Sequence, residues 1–213
     1  MKFVASYSGG KDSVLALYKA VSQGMAPAAL VTAYNTDKNR SWFHGVPALA
    51  LRRVADALGI PVWIIETDGA AYSRNFEAAL RKAAASGAEA CVFGDIDIEG
   101  HRLWCTERCQ NAGLNAVFPL WGQNRADAVN EFIELGFIAD ITIVNTAKLD
   151  VSFLGKRLTD GIVRLMAGQG ADVCGENGEY HTFVSDGPIF SHAIGFEYGG
   201  QVMEGDYAIL PIY

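Results

Sequence analysis

Six consecutive residues near the start of the sequence, Ser8-Gly9-Gly10-Lys11-Asp12-Ser13, could do chemistry on a phosphate. Two adjacent glycines let the backbone bend sharply and approach a ligand with no Cβ in the way. Ser8 and Ser13 add hydroxyl donors, and Lys11 adds a positive charge. An apolar run, Phe3 to Tyr7, precedes this stretch, and an amphipathic run, Val14 to Val21, follows it. That context is strand, tight turn, helix. The N–H groups of the first helical turn then point into the same space, which suits an anion and above all a phosphate. The spacing is not that of the common P-loop. Ala5 stands where that motif needs its first glycine, and Asp12 stands where it needs Ser or Thr.

A second stretch is Gly175-Glu176-Asn177-Gly178-Glu179-Tyr180-His181-Thr182-Phe183-Val184. Two carboxylates lie three residues apart between glycines, and a histidine follows. Glu179 and His181 have strand spacing, so both can face one side. Taken alone, the segment also reads as an acidic turn leading into an edge strand.

The elements that must position these residues follow from hydrophobic period. Strand-like runs cover Ala28–Tyr34, Val62–Glu66, Ala90–Gly94 and Ala116–Leu120. Helical runs cover Pro47–Leu58, with Leu49, Val54, Ala57 and Leu58 near one face, then Tyr72–Ser86 and Glu99–Ala112. Alternation with short connections predicts βαβ units and a parallel α/β sheet sandwiched by helices. Ligands on such sheets bind at the carboxyl ends of the strands. That rim holds Ser8–Ser13, Tyr34–Thr36, Glu66–Asp68 and Gly94-Asp95. After Trp121 the pattern changes. Helices are expected at Arg125–Leu135 and Lys156–Met166, and strands at Ala139–Asn145, Tyr180–Val184, Ala193–Tyr198 and Gln201–Ile209. The predicted organisation is an α/β domain over 1–122 and a smaller α+β domain over 123–213.

The formal charge of the 213 residues is −7, which counts against tight non-specific nucleic-acid binding. Four cysteines, Cys91, Cys105, Cys109 and Cys174, form no paired framework, and no signal peptide precedes Phe3. A reducing cytoplasm is the expected compartment. No apolar run reaches the ~20 residues that a membrane span needs. Cys105 and Cys109 have helical spacing and read as buried thiols rather than metal ligands. His44 lies in a loop that could close over a ligand, while His101 and His192 read as structural.

The hexapeptide resembles the PP-loop, Ser-Gly-Gly-x-Asp-Ser, of the N-type ATP pyrophosphatases. Together with Phe93-Gly94-Asp95, Phe118-Pro119-Leu120-Trp121, the Gly175–Phe183 stretch and Asp186-Gly187-Pro188, it resembles the diphthine–ammonia ligase family over almost the whole chain. Glu66-Thr67-Asp68-Gly69 departs from the pattern of the eukaryotic ligases. The resemblance implies a Rossmann-like nucleotide domain of the HUP type and a C-terminal domain that supplies the acceptor pocket. It implies ATP, Mg²⁺ and ammonium as reactants, and a carboxylate acceptor on a modified histidine of an elongation factor or on a small molecule. A homo-oligomer is compatible with the sequence.

On this reading Ser8, Gly9, Gly10 and Ser13 hold phosphates, and Lys11 offsets the charge on the leaving pyrophosphate. Asp12 positions Mg²⁺. Tyr34 and Asn35 meet the adenosine end. Gly94 lets the nucleotide pass close by, and Asp95 meets ribose or metal. Glu176 and Glu179 orient ammonium and take its proton, with His181 as a second base. Two other readings compete. One is a tRNA-modifying PP-loop enzyme, disfavoured by the charge and by the absence of a Cys-x-x-Cys pair. The other is a non-enzymatic adenine-nucleotide sensor.

Overall fold

Apolar strands buried on both faces need helices above and below, and the first half of the chain provides them. In the computed structural model, which describes residues 1–213, β1 (Lys2–Ser6) lies between β2 (Ala26–Asn35) and a strand over Ala90–Val92. A two-residue strand, β3 (Arg40–Ser41), runs antiparallel to the end of β2. Next come β4 (Val62–Thr67), β5 (Ala90–Val92) and β6 (Asn115–Val117). The parallel order is β4-β2-β1-β5-β6. The chain builds outward from β1 on one side, then returns to add β5 and β6 on the other. The crevice at this reversal, off the carboxyl ends of β1 and β5, is where such sheets bind ligands.

Side-chain alternation sorts the core. Phe3 and Ala5 face one buried cluster, and Val4 faces another. Helices α1 (Lys11–Ser22) and α2 (Ala48–Leu58) contribute to the first cluster, and α3 (Tyr72–Ala85) and α4 (Glu99–Ala112) to the second. Cys105 and Cys109 are buried in that second cluster, as free thiols. In α2 the buried stripe is Ala50, Leu51, Val54 and Ala57. Leu49, expected on that face, is 54% exposed.

The later chain forms α5 (Arg125–Glu134), α6 (Asp160–Gly168) and a four-stranded antiparallel sheet. Its strands are β7 (Ile138–Asn145), β8 (Tyr180–Asp186), β9 (Val202–Glu204) and β10 (Tyr207–Ile209), ordered β8-β7-β10-β9. The first cluster runs without a break into this part, through Phe132, Ile141 and Phe183. Two expectations are corrected. The helix expected from Lys156 starts only at Asp160, because Arg157 bridges Asp140 and Thr159 caps the helix through Ile162 N–H. The run Ala193–Tyr198 is not a strand; only Tyr198 makes an isolated bridge, to Ile212. No helix is long and apolar enough to cross a membrane.

Candidate functional site

The turn between β1 and α1 is built by its glycines. Gly9 has φ +86°, a left-handed conformation that disfavours side chains. Ser13 Oγ donates to the Gly10 carbonyl at 2.9 Å, and Ser8 Oγ donates to Ser13 Oγ at 3.2 Å. Helix α1 has no side-chain N-cap. Its first N–H, on Lys11, is satisfied from the far end of the sequence by Thr182 Oγ1 at 3.1 Å. Val184 N–H donates to the Gly9 carbonyl at 2.9 Å. Strand β8 therefore runs beside the turn, and the two motifs share one site. Gly94, at the end of β5, is needed for packing: a Cβ there would lie 2.7 Å from the Asp12 backbone carbon.

The Lys11 side chain is 6% exposed and folds back on its neighbour. Its Nζ donates to Asp12 Oδ1 at 3.0 Å and Oδ2 at 2.8 Å, and to the Cys174 carbonyl. The Tyr180 ring lies beneath, with its centroid 5.4 Å from Nζ. Burial alone would lower the Lys11 pKa, but Asp12 overcomes it and holds the amine charged. A carboxylate oxygen of Asp12, the Cys174 sulfur and a carboxylate oxygen of Glu176 lie within 4.8 Å of one another. Burial raises the Glu176 pKa to about 7, and the nearby Asp12 adds to the rise.

This trio does not fit the Mg²⁺ expected at Asp12. Mg²⁺ takes oxygen ligands in near-octahedral array, usually one or two carboxylates completed by phosphate and water, so a thiol has no place among them. Burial keeps the Cys174 thiol protonated, and with no phosphate present both Asp12 oxygens accept from Lys11. The arrangement instead suits a nitrogen cation, because it already holds one.

A cavity of about 520 Å³ opens over these groups. At one end are Ser8, Lys11, Asp12, Ser13, Glu176 and His181. Another part of its wall is aromatic: Tyr72, Phe76, Phe93 and Trp104. Tyr72 stacks on Phe76 at 6.4 Å, and Trp104 lies 5.6 Å from Phe76. Gly94 and Asp95 also line the cavity. Asp95 Oδ1 is 3.3 Å from Nδ1 of His101, which is also part of the wall, and the Cys105 thiol donates to Asp95 Oδ2 at 3.8 Å. Burial raises the Asp95 pKa, against the pull of His101.

His101, Trp104 and Cys105 line the cavity; from sequence His101 reads as structural, Cys105 as a buried thiol, and Trp104 has no role. The available signal was their spacing on α4, which puts all three on one helical face.

Other expected residues sit elsewhere. Tyr34 and Asn35 do not line the cavity. The Tyr34 hydroxyl donates to Asn39 Oδ1 at 3.0 Å, and Asn35 Oδ1 accepts from Lys38 N–H at 3.0 Å. They shape the turn into β3. Glu179 also lies off the cavity; it is buried, and its Oε2 lacks a hydrogen-bond partner. His181 lies in the wall with its ring 4.7 Å from that of His44. Burial, reinforced by His44 and Lys11, lowers its pKa to about 3. His44 donates from Nδ1 to the Thr182 carbonyl at 2.9 Å and packs its ring on Gly10, where a Cβ would lie 2.1 Å from it.

Both parts of the chain are similar to known proteins. Residues 1–116 match the model of the diphthamide synthase N-terminal domain, and residues 124–212 match that of the C-terminal domain. The chain is similar to a zebrafish (Danio rerio) protein named diphthine–ammonia ligase, with 26% identity over 236 residues, covering 100% of this chain and 92% of that protein. The human protein of the same name is 26% identical over 237 residues, covering 100% of this chain and 89% of its own length. A crystal structure described as a predicted subunit of tRNA methyltransferase from Methanocaldococcus jannaschii aligns with TM-score 0.48 and 17% identity, over 91% of this chain and 100% of that one. With both domain models matched in order along the sequence, the chain belongs to the diphthamide synthase family.

Proposed function

We propose that this protein is an AMP-forming amide ligase that uses ATP to join ammonia to the carboxylate of diphthine, carried on an elongation factor. The observation that carries this reading is the meeting of the PP-loop turn with the Gly175–His181 segment, through the Lys11 N–H bond to Thr182. The names of the full-length relatives supply the substrates.

Carboxylate and ammonia do not condense at neutral pH, so the carboxylate must first be activated. Its oxygen attacks the α-phosphorus of ATP and pyrophosphate leaves. Ammonia nitrogen then attacks the carbonyl carbon and AMP leaves. Ser8, Ser13 and the start of α1 are placed to bind phosphates. Lys11 is the charge that meets the departing pyrophosphate, once phosphate competes it away from Asp12. The aromatic wall offers adenine a stacking face, in place of Tyr34 and Asn35.

The groups around the Lys11 amine already form a cradle for R–NH₃⁺, and free ammonium has the same donor chemistry. Glu176, with a pKa of about 7, is matched to taking its proton at neutral pH. His181, at about 3, is too weak a base for that task and is placed instead as a neutral donor. Glu179 lies off the cavity, which leaves the base to Glu176. A divalent cation that accompanies the triphosphate would bring phosphate and water ligands of its own. A tRNA-modifying enzyme that works by sulfur transfer loses support, since burial raises the pKa of both cavity thiols, Cys105 and Cys174.

The test supplies ATP, ¹⁵N-ammonium and a diphthine-bearing elongation factor. The expected products are AMP, pyrophosphate and an acceptor carrying one ¹⁵N amide by mass spectrometry. ADP and phosphate as the only nucleotide products would reject adenylation. ATP binding with no turnover would favour a sensor.

A further inference from the structure

We infer that Arg125 is a positioning residue: it clasps the loop that carries Glu176 to the loop that carries Asp95, and so sets where the Glu176 carboxyl meets the cavity. The inference rests on the amide-ligase reading for its catalytic consequence, though not for its geometry.

Arg125 is the first residue of α5, and Asn124 fixes that helix start. Asn124 Oδ1 accepts from Ala126 N–H at 2.9 Å and from Asp127 N–H at 3.3 Å. From this anchored position the guanidinium spans two loops. Its Nε and Nη2 donate to the two Asp97 oxygens, each at 2.7 Å. Asp97 lies two residues after Asp95, in the loop from β5 to α4. Nη1 of Arg125 donates to Asp172 Oδ2 at 2.7 Å and to Asn177 Oδ1 at 3.2 Å. Both belong to the loop from α6 to β8.

Asp172 passes the constraint on. Its Oδ2 also accepts the Glu176 N–H at 3.0 Å, and its Oδ1 accepts the Cys174 N–H at 3.0 Å. Its carbonyl accepts the Gly175 N–H at 3.0 Å. The backbone of Glu176 therefore hangs from the same carboxylate oxygen that Arg125 holds. The other side of the turn is pinned by Tyr180, whose hydroxyl donates to the Val173 carbonyl at 2.6 Å.

A planar fork is needed here. Four donor bonds leave one guanidinium in two directions, and a lysine amine cannot reproduce that geometry. The Asp172 side chain is only 10% exposed, so its pairing with Arg125 is shielded from water more than a surface ion pair. The charged groups that act on Glu176 are Asp12 and Lys11 from the first turn of α1, Asp95 from the β5–α4 loop, and Arg125 from α5. Removing Arg125 takes away one of two cations that lower the Glu176 titration midpoint.

The experiment compares the full-length protein with Arg125→Lys, Arg125→Gln and Asp97→Asn. One readout is steady-state amidation with ATP and ammonium varied separately. The other is carboxyl ¹³C NMR titration of Glu176, assigned through Glu176→Gln, which needs no turnover. Arg125→Gln should leave the KM for ATP within about twofold while kcat falls about 10–100-fold, the usual scale for losing an outer orienting partner. The Glu176 midpoint should move above its wild-type value. Arg125→Lys should not restore kcat, and Asp97→Asn should fall between wild type and Arg125→Gln. If Arg125→Gln does not fold, Asp97→Asn keeps the test, because it weakens one arm of the clasp and leaves Asp172 held. An unchanged midpoint and unchanged kcat would overturn the inference. So would a parallel loss of ATP affinity and kcat with the midpoint unmoved, which marks a merely structural role. If wild type forms no AMP, the ligase reading fails, and the titration alone decides the clasp.

Discussion

The Thr182 hydroxyl accepts the backbone N–H of Lys11 at 3.1 Å, joining residues 171 positions apart. This bond ties the second sheet to the first turn of α1. Thr182 is buried, and Thr182→Val keeps its shape while leaving that N–H without a partner. An unsatisfied buried donor costs roughly 1–3 kcal/mol. Urea denaturation should show a loss on that scale, with weaker ATP binding by calorimetry. Thr182→Ser should recover most of both. Equal stability of the valine variant and wild type would argue that the bond contributes nothing.

Two glycines of the site should respond differently to alanine. At Gly94 the new methyl would meet the Asp12 backbone, which cannot give without moving the start of α1. Gly94→Ala should cost about 1–3 kcal/mol, the range for overpacking, and should weaken ATP binding at least tenfold. At Gly10 the obstacle is the His44 ring, the end of a side chain on a loop. Gly10→Ala should be milder, and adding His44→Ala should relieve it. Thermal unfolding of the four proteins checks the contrast. Similar losses for both glycine variants would contradict it.

Stability against pH should carry opposite slopes from two cavity residues. Glu176 has a raised native pKa of about 7, so between about 4.5 and 7 the native state holds a proton that the unfolded state has lost. Stability then falls as pH rises through that window. His181 has a lowered native pKa of about 3, so between about 3 and 6.5 the unfolded state holds the extra proton, and stability rises with pH. Urea midpoints from pH 4 to 8 should lose the falling component in Glu176→Gln and the rising one in His181→Asn. A Glu176→Gln profile parallel to wild type would place the native Glu176 pKa near its ordinary value.

Lys11 should matter more for ATP than for adenosine. Lys11→Ala removes a charge-assisted phosphate contact, worth roughly 1.5–3 kcal/mol. It also leaves Asp12 without its partner, so some loss of stability should accompany it. Calorimetry should show ATP weakened about tenfold or more and adenosine nearly unchanged. Equal weakening of both ligands would point to a disordered turn instead.

The strand–turn–helix context of Ser8–Ser13 was legible because paired glycines between an apolar run and an amphipathic run admit few other structures. The closeness of the second motif was legible only through the family resemblance, since no local pattern encodes a contact between Lys11 and Thr182. Glu179 shows the limit of strand period. Spacing of two applies only inside a strand, and β8 begins at Tyr180, so Glu179 stands in the bend before it and period alone does not put it on the face of His181. Tyr34 and Asn35 show another limit. They stand at the carboxyl end of β2, yet β3, only two residues long, pairs with both, and so short a strand has no readable period. His101 and Cys105 were legible in spacing, but nothing in α4 alone marks which of its faces meets Asp95.

The most direct measurement pairs ATP calorimetry with the ¹⁵N-amide assay on Glu176→Gln. Gln keeps the shape of the side chain and removes the base. ATP affinity should stay within about twofold of wild type, while amide formation falls roughly 10²–10⁴-fold, the usual contribution of a positioned base. Glu179→Gln, off the cavity, should retain most of the activity. Full amide formation by Glu176→Gln, or its loss in Glu179→Gln alone, would contradict the placement of ammonium beside Asp12 and Cys174.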